Sequence, residues 1–409
     1  MTSNDEFFQR QQPAAVLKHS VLEEYCNVFT SMVGSAFKGP IWLIDGYAGP
    51  GWYQSDDNTA RVPGSPIVAA RLAQRWRTTG KRDLRCIFIE ANPAYFCSLR
   101  EGLTEFAQDS AILVPLNGEV QERLDEAWKC VNSAPTITFL DPFGIAMPNH
   151  LVTDVLLSRT RQQAPSEVLL NINLEAVWRL GGCLQERDGQ IVAKTRQEKG
   201  VERVDRFFGD IWWRREFYEA RNANGASAAA AATAVVEQYR RRITDATGCL
   251  SISIPVRRRH GNPPLFHLTL FYRHPVAGYK FADAARRATR KWRDTFRAKE
   301  LADATLPVEG TLFDLTEQIQ ESREKEAAAQ ERAFADSWIA VISANIKELV
   351  AEHRVLPVAE NVVPILGATL SLAGEPELRR AWDQLSETGI VLPRNKSKAL
   401  YQQSLCATP

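Results

Sequence analysis

The sequence predicts a doubly wound α/β fold, a largely parallel sheet with helices on both faces. Three observations predict it. Short apolar runs rich in β-branched and aromatic residues alternate with segments of helical periodicity. Four of these runs close on a polar residue: Asp45, Glu90, Asn117 and Asp141. The chain has 409 residues, 44% apolar and 24% charged, which gives room for a large core and about two domains.

The elements follow in order. Residues 14–33 read as a helix, with Val16, Leu17, Val21, Tyr25 and Val28 on one face. Residues 41–45 are a buried strand. A helix over 66–77 follows the turn signal Pro63-Gly64-Ser65-Pro66. Strand 85–90, helix 94–106, strand 111–116, helix 119–131, strand 136–141, helix 149–160 and strand 168–173 continue the alternation, which implies βαβ units. Residues 181–240, with Trp212-Trp213 and an alanine run, read as a helical insertion. Residues 251–258 and 265–273 then form a hairpin that closes the sheet, and one antiparallel strand on a parallel sheet is allowed. The expected organisation is a sheet domain over 1–300, a charged connecting helix over 301–335, and a helical or winged-helix-like unit over 336–409.

The opening residues carry no apolar signal core, and no run of about eighteen apolar residues occurs, so neither secretion nor membrane insertion is expected and the cytoplasm is the predicted location. Cys26, Cys86, Cys97, Cys130, Cys183, Cys249 and Cys406 form no C-x-x-C pair, which fits reduced thiols. His260, His267 and His274 flank a strand without carboxylate or thiol neighbours, so no metal site is expected. The net charge of +1 hides an uneven distribution. Between Pro255 and Glu300 twelve Lys or Arg face three Asp or Glu, an excess of nine, and the rest of the chain is therefore net negative by eight. Within this zone Arg286, Arg290, Arg293 and Arg297 share a helical stripe opposite Phe281, Ala285, Ala288, Trp292 and Phe296. Together with Arg257, Arg258 and Arg259 the stripe is a candidate nucleic-acid contact; an ordinary solvated helix face is the competing reading.

The segment IWLIDGYAGPGWY sets three glycines directly after the first strand. At the carboxyl edge of a parallel sheet such a turn abuts the ligand crevice, and glycine allows close approach of backbone. The order G-x-x-G-x-G is not the dinucleotide fingerprint, and no Lys-Ser or Lys-Thr follows as in a P-loop, so NAD and ATP are both disfavoured. Glu90 suits ribose hydroxyls, because an acid at this strand end accepts both.

These residues carry a resemblance. DGYAGPG resembles the D-x-F-A-G-x-G motif of S-adenosylmethionine-dependent methyltransferases, and FLDPFG is similar to their motif for nucleobase amino groups. With VLKHSVLEEY upstream and GSPIVAARL downstream, the order is similar to that of the bacterial 23S rRNA adenine-N6 methyltransferases. It is closest to the three-Cys-motif partner proteins. The resemblance covers roughly residues 14–280. It implies a Rossmann-like methyltransferase sheet with S-adenosylmethionine as cofactor, held by Asp45, Gly46, Ala48, Gly49, Gly51, Glu90 and Asn117, with Lys18 and His19 beside the pocket. Asp141, Pro142 and Phe143 would act on the amine: the carboxylate and the Pro142 carbonyl accept its hydrogens, and Phe143 stacks on a base. The motif departs from D-P-P-Y in having Phe143 and Gly144 after the first proline, which leaves three classes open. They are a methyltransferase acting on an amino group in RNA or DNA, a partner-dependent cofactor-fold module working with a three-Cys-motif protein, and a small-molecule methyltransferase.

Overall fold

Strand β1 (Ile41–Asp45) is buried at all five positions, as befits an apolar run covered on both faces. The computed structural model describes residues 13–54, 61–106, 112–142, 144–145, 147–158, 165–223, 226–257, 262–304 and 313–408. Contacts divide it into two units, Met1–His274 and Pro275–Pro409.

The first unit has a mixed α/β, Rossmann-like fold. Helix α1 (Pro13–Ala36) precedes β1. A small hairpin, β2 (Trp52–Gln54) and β3 (Arg61–Pro63), leads to α2 (Ser65–Thr78). Then come β4 (Leu84–Glu90), α3 (Pro93–Leu103), β5 (Leu113–Asn117), α4 (Val120–Val131) and β6 (Thr136–Leu140). A π-helical segment, Leu151–Leu157, stands where an ordinary helix is expected over 149–160. Strand β7 (Ser166–Asn173) and α5 (Leu174–Gly181) follow.

The insertion is not wholly helical. It begins with a hairpin, β8 (Leu184–Arg187) and β9 (Gln190–Ala193), before helices α6 (Glu198–Phe208), α7 (Trp212–Asn222) and α8 (Ala228–Thr247). Asp188 and Gly189 both have positive φ, 50° and 75°, as a two-residue Asp-Gly turn requires. Phe207, Phe208, Trp213, Phe217 and Tyr239 are buried and form its aromatic centre. Gly181 lets α5 into it, since a Cβ there would lie 2.6 Å from the Phe217 ring.

Strands β10 (Leu250–Val256) and β11 (Phe266–Tyr272) complete a seven-stranded sheet in the order β10-β11-β7-β6-β1-β4-β5, with β11 antiparallel to both neighbours. The chain builds β1, β4 and β5 outward, then returns to place β6 on the other side of β1. That return creates a topological switch point between β1 and β6, where ligands bind in open α/β sheets. Register shapes the crevice. Asp45 lies opposite Phe88 on one side and Phe139 on the other, so Glu90 and Asp141 each project two residues past it, roughly 6.6 Å at the strand rise. The glycine turn leaves β1 in the notch between them.

In the second unit, α9 (Pro275–Ala304) and α10 (Phe313–His353) are followed by β12 (Val355–Pro357), α11 (Val362–Leu366), α12 (Glu375–Glu387) and β13 (Ser404–Cys406). The division thus falls at His274, not near 300, and the arginine-bearing helix belongs to the C-terminal unit. The expected connector over 301–335 is not a separate element, because α10 runs unbroken past 336. Its buried Ile339, Ile342, Ile346 and Val350 recur at helical spacing, and Leu378, Trp382, Leu385 and Leu405 are buried in the same unit. Strands β12 and β13 pair antiparallel, and Val391 bridges Ala407. Among the described residues no helix is long and apolar enough to cross a membrane.

Candidate functional site at the carboxyl edge of the sheet

The turn after β1 is held by its neighbours. The Gly46 N–H donates to the Phe139 carbonyl at 2.9 Å, and the Ala48 N–H to the Ile89 carbonyl at 3.0 Å, which ties the turn to β6 and β4 at once. Gly49 and Gly51 have φ of 68° and 86°, a region open to glycine at no steric cost. Gly46 has a different reason to be glycine: a Cβ there would lie 2.7 Å from Leu140 Cδ2 and 3.1 Å from Val120 Cγ2. It serves the packing of β6 and α4 rather than lining open space, and Ala48 is likewise buried.

Glu90 organises the rim. Its Oε2 accepts the Gly49 N–H and its Oε1 accepts the Asn92 N–H, both at 2.7 Å. Each oxygen keeps a further acceptor site. Burial pushes its carboxyl up from the ordinary value, opposed by these two N–H groups. Asn117 is the register partner of Glu90, and its Nδ2 donates to the Glu90 carbonyl at 2.9 Å. Its own carbonyl accepts from Arg123 Nε at 2.6 Å.

Asp45 is fully buried, and burial raises its carboxyl to about 7 despite hydrogen bonds from Ser65 and from the Tyr47 N–H at 3.2 Å. Its Oδ2 has no hydrogen-bond partner among the described residues. An orphaned buried acceptor is costly, and a bound donor or a water would satisfy it. The Tyr53 phenol is raised first by burial and then by Asp141, Asp45 and Glu90, which places it in the field of all three acids.

The second cluster surrounds Asp141. Lys18 Nζ donates to Asp141 Oδ2 at 2.6 Å, and Asn171 Nδ2 donates to Oδ1 at 2.7 Å. The Lys18 ammonium also sits 4.7 Å from the centroid of the Phe266 ring, a cation–π contact. Lys18 and Asp141, assigned by the sequence to cofactor and amine respectively, are therefore one ion pair. An ammonium has three donors, so Lys18 retains capacity for a second anion. His19, beside it, is a neutral imidazole. Burial lowers it to about 4, Lys18 adds to the effect, and Asp141 and a hydrogen bond to the Pro63 carbonyl oppose it.

No site role was read from the sequence for Asn171, Tyr53, Ser65 or Phe266, although Tyr53 and Ser65 lie within the segments IWLIDGYAGPGWY and GSPIVAARL. For Asn171 a signal was present, as a carboxamide within the apolar run Val168-Leu-Leu-Asn-Ile. Pro142 is buried after β6, whereas Phe143 lies outside the described residues.

Two arginines of the basic stripe, read as either a phosphate-tracking or a solvated face, are engaged within the second unit. Arg293 Nε lies 3.3 Å from Glu331 Oε1, with its guanidinium 5.2 Å from the Trp338 ring centroid. Arg286 pairs with Asp283 at 3.3 Å and approaches Glu377 at 3.9 Å. These arginines serve the interior of the second unit. Arg290 is exposed. Arg257, half-buried, donates to the Asn262 carbonyl at 2.9 Å. Arg258, Arg259 and the Arg297 side chain lie outside the described ones. No group of three or more potential metal ligands occurs among the described residues.

No protein-family model matches the chain. No curated protein matches it either. Among solved structures, the crystal structure of protein LPL1258 from Legionella pneumophila str. Philadelphia 1, described under family-model DUF519, is similar at a TM-score of 0.34 and 11% identity. The match covers 64% of this chain and 85% of that one.

Proposed function

We propose that the chain is an S-adenosylmethionine-dependent methyltransferase acting on an amino group in nucleic acid, located in the cytoplasm. One observation carries the reading: the glycine turn and Glu90 form a cradle at the switch point, and the Lys18–Asp141–Asn171 cluster stands across the notch from it. The residues fit the cofactor. Glu90 has acceptor capacity left for two hydroxyls, Lys18 has donors left for a carboxylate, and the orphaned Asp45 oxygen suits an ammonium or its water.

When bound, S-adenosylmethionine supplies an electrophilic methyl group. The chain's own residues do the rest by positioning. The Asp141 carboxylate, fixed from both sides, offers its remaining acceptor sites to an amine N–H. That bond keeps the nitrogen lone pair free and stabilises positive charge developing on nitrogen. His19, neutral near pH 7, adds no competing cation.

A second reading is favoured by the same ion pair. With both Asp141 oxygens already engaged, a cofactor-fold module that needs a partner protein, such as a three-Cys-motif protein, to open the pair also fits. Labelled methyl transfer from S-adenosylmethionine to total RNA, total DNA and a metabolite pool separates the classes. Label that becomes soluble on nuclease digestion supports the proposal. Cofactor binding without label in any pool sinks it in favour of the module, and label confined to small molecules sinks it in favour of a metabolite enzyme.

A further inference from the structure

At the amino edge of the sheet, away from the glycine turn, the loop between α1 and β1 and the loop between α2 and β4 border a groove of about 610 Å³. Its lining carries five cations, Lys38, Arg77, Lys81, Arg82 and Arg85, against one acid, Asp83. Asp83 is already committed, 2.8 Å from Arg85 Nη2. Among the described residues no ion pair involves Lys38, Arg77, Lys81 or Arg82. Helices α1 and α2 both end here. Their C-termini supply about half a negative charge each, which offsets roughly one of the four cations and leaves a net excess of about three.

The groove is also built. Gly34 in the last turns of α1 makes room for the Arg82 stem, since a Cβ there would strike it. Arg82 Nη1 donates to the Lys81 carbonyl at 2.7 Å, which fixes the guanidinium, and its Nε is buried without a partner. Phe37 stands beside these cations with 40% of its surface exposed. A large exposed aromatic residue next to unpaired cations combines the two elements that hold single-stranded nucleic acid, backbone charge and a stacking face.

We propose that this groove binds single-stranded nucleic acid, with Lys38, Arg77, Lys81 and Arg82 on phosphates and Phe37 against a base. The proposal does not depend on the cofactor assignment. A concave recess between two loops suits a strand better than a flat anionic membrane, and an exposed ring has no use for a free phosphate ion.

The experiment titrates the full chain, without cofactor, into fluorescein-labelled oligouridine and oligothymidine at several salt concentrations and reads anisotropy. Four phosphate contacts predict a log–log salt slope near −3 for a single strand, and Arg77→Ala/Lys81→Ala should flatten it by about 1.4. Both side chains are exposed, so the variant should fold, which its melting curve checks. Phe37→Ala should weaken binding by about fivefold or more without changing the slope, as loss of one stacking contact. Comparing the two oligomers tells RNA from DNA. No binding at low salt, an unchanged slope in the double variant, or inorganic polyphosphate competing as well as oligouridine with Phe37→Ala inert would each overturn the proposal. S-adenosylmethionine affinity, measured on the same variants, should be unaltered, so a failed methyl-transfer assay and a failed groove remain separate results.

Discussion

Replacing Lys18 by Met removes the ammonium and keeps most of the stem. The pair it breaks is short, 2.6 Å, with side chains only 8% and 20% exposed. At an effective dielectric of 20, Coulomb attraction at this distance is about 6 kcal/mol, much of it offset by desolvation of the two ions. Breaking one side of a buried pair costs about 3 to 5 kcal/mol. Asn171 still serves the other Asp141 oxygen, so we expect about 2 to 3 kcal/mol for Lys18→Met. Asp141→Asn should cost a similar amount, because it strands a buried ammonium beside the Phe266 ring. The double variant should lose clearly less than the sum, with a coupling of about 2 kcal/mol. Urea unfolding at neutral pH measures all three, read as midpoint shifts at constant slope. Additivity within about 0.5 kcal/mol would refute the account of the pair. The cycle bears on the proposed reaction too: in a methyl-transfer assay Asp141→Asn alone would mix lost chemistry with lost structure, so it should be compared with the double variant, in which no charge is stranded.

Three further predictions follow from the same geometry. Glu90→Ala removes the anchors of the Gly49 and Asn92 N–H groups together with the expected ribose acceptor, and titration calorimetry should show S-adenosylmethionine affinity falling by about tenfold to a hundredfold. Buried Glu167, which accepts the Tyr25 hydroxyl at 2.6 Å, is raised by burial from 4.5 to about 7. Its folded form holds an extra proton between those values, so its contribution is complete below 4.5 and is lost as pH rises through 7. His19 and His267, each lowered by burial to about 4, act in the opposite sense, their contributions fading as pH falls below 6.5. Glu167→Gln isolates the acid: relative to the variant, wild type should lose about 3 kcal/mol between about pH 4.5 and 8, and parallel stability curves would contradict the assignment. Arg293→Ala should destabilise the chain by about 2 kcal/mol through loss of the Glu331 pair and the Trp338 contact, with no change in the salt slope of nucleic-acid binding.

The carboxyl rim was legible because each apolar run ends where the crevice begins, and Asp45, Glu90, Asn117 and Asp141 announce that boundary by polarity alone. The closing hairpin was legible from two β-rich runs around a short Gly-Asn-Pro-Pro loop. The Asp188-Gly189 turn carried an equally local signal, yet it was lost inside a segment read by its bulk composition. Partners of charged groups were not legible at all. Arg293 looks solvated from its helical stripe, and only the fold brings Glu331 from 38 positions away. Lys18 and Asp141, 123 positions apart, are the same case at the candidate site.

The place of β11 in the sheet has a consequence for synthesis. Among the described residues, β7 gains an outer neighbour only when Phe266–Tyr272 arrives, and β10 pairs with β11 alone. A ribosome therefore releases five parallel strands with the β7 margin bare as well as the permanent β5 edge, and the last strand of the sheet must slip between β7 and β10. Such a margin is adhesive, so the interval before residue 272 emerges is when the nascent chain most needs a chaperone. The ring beneath Lys18 also belongs to that last strand. The candidate site is thus finished only when the sheet is, and a half-made chain holds Lys18 and Asp141 without the ring that completes their surroundings.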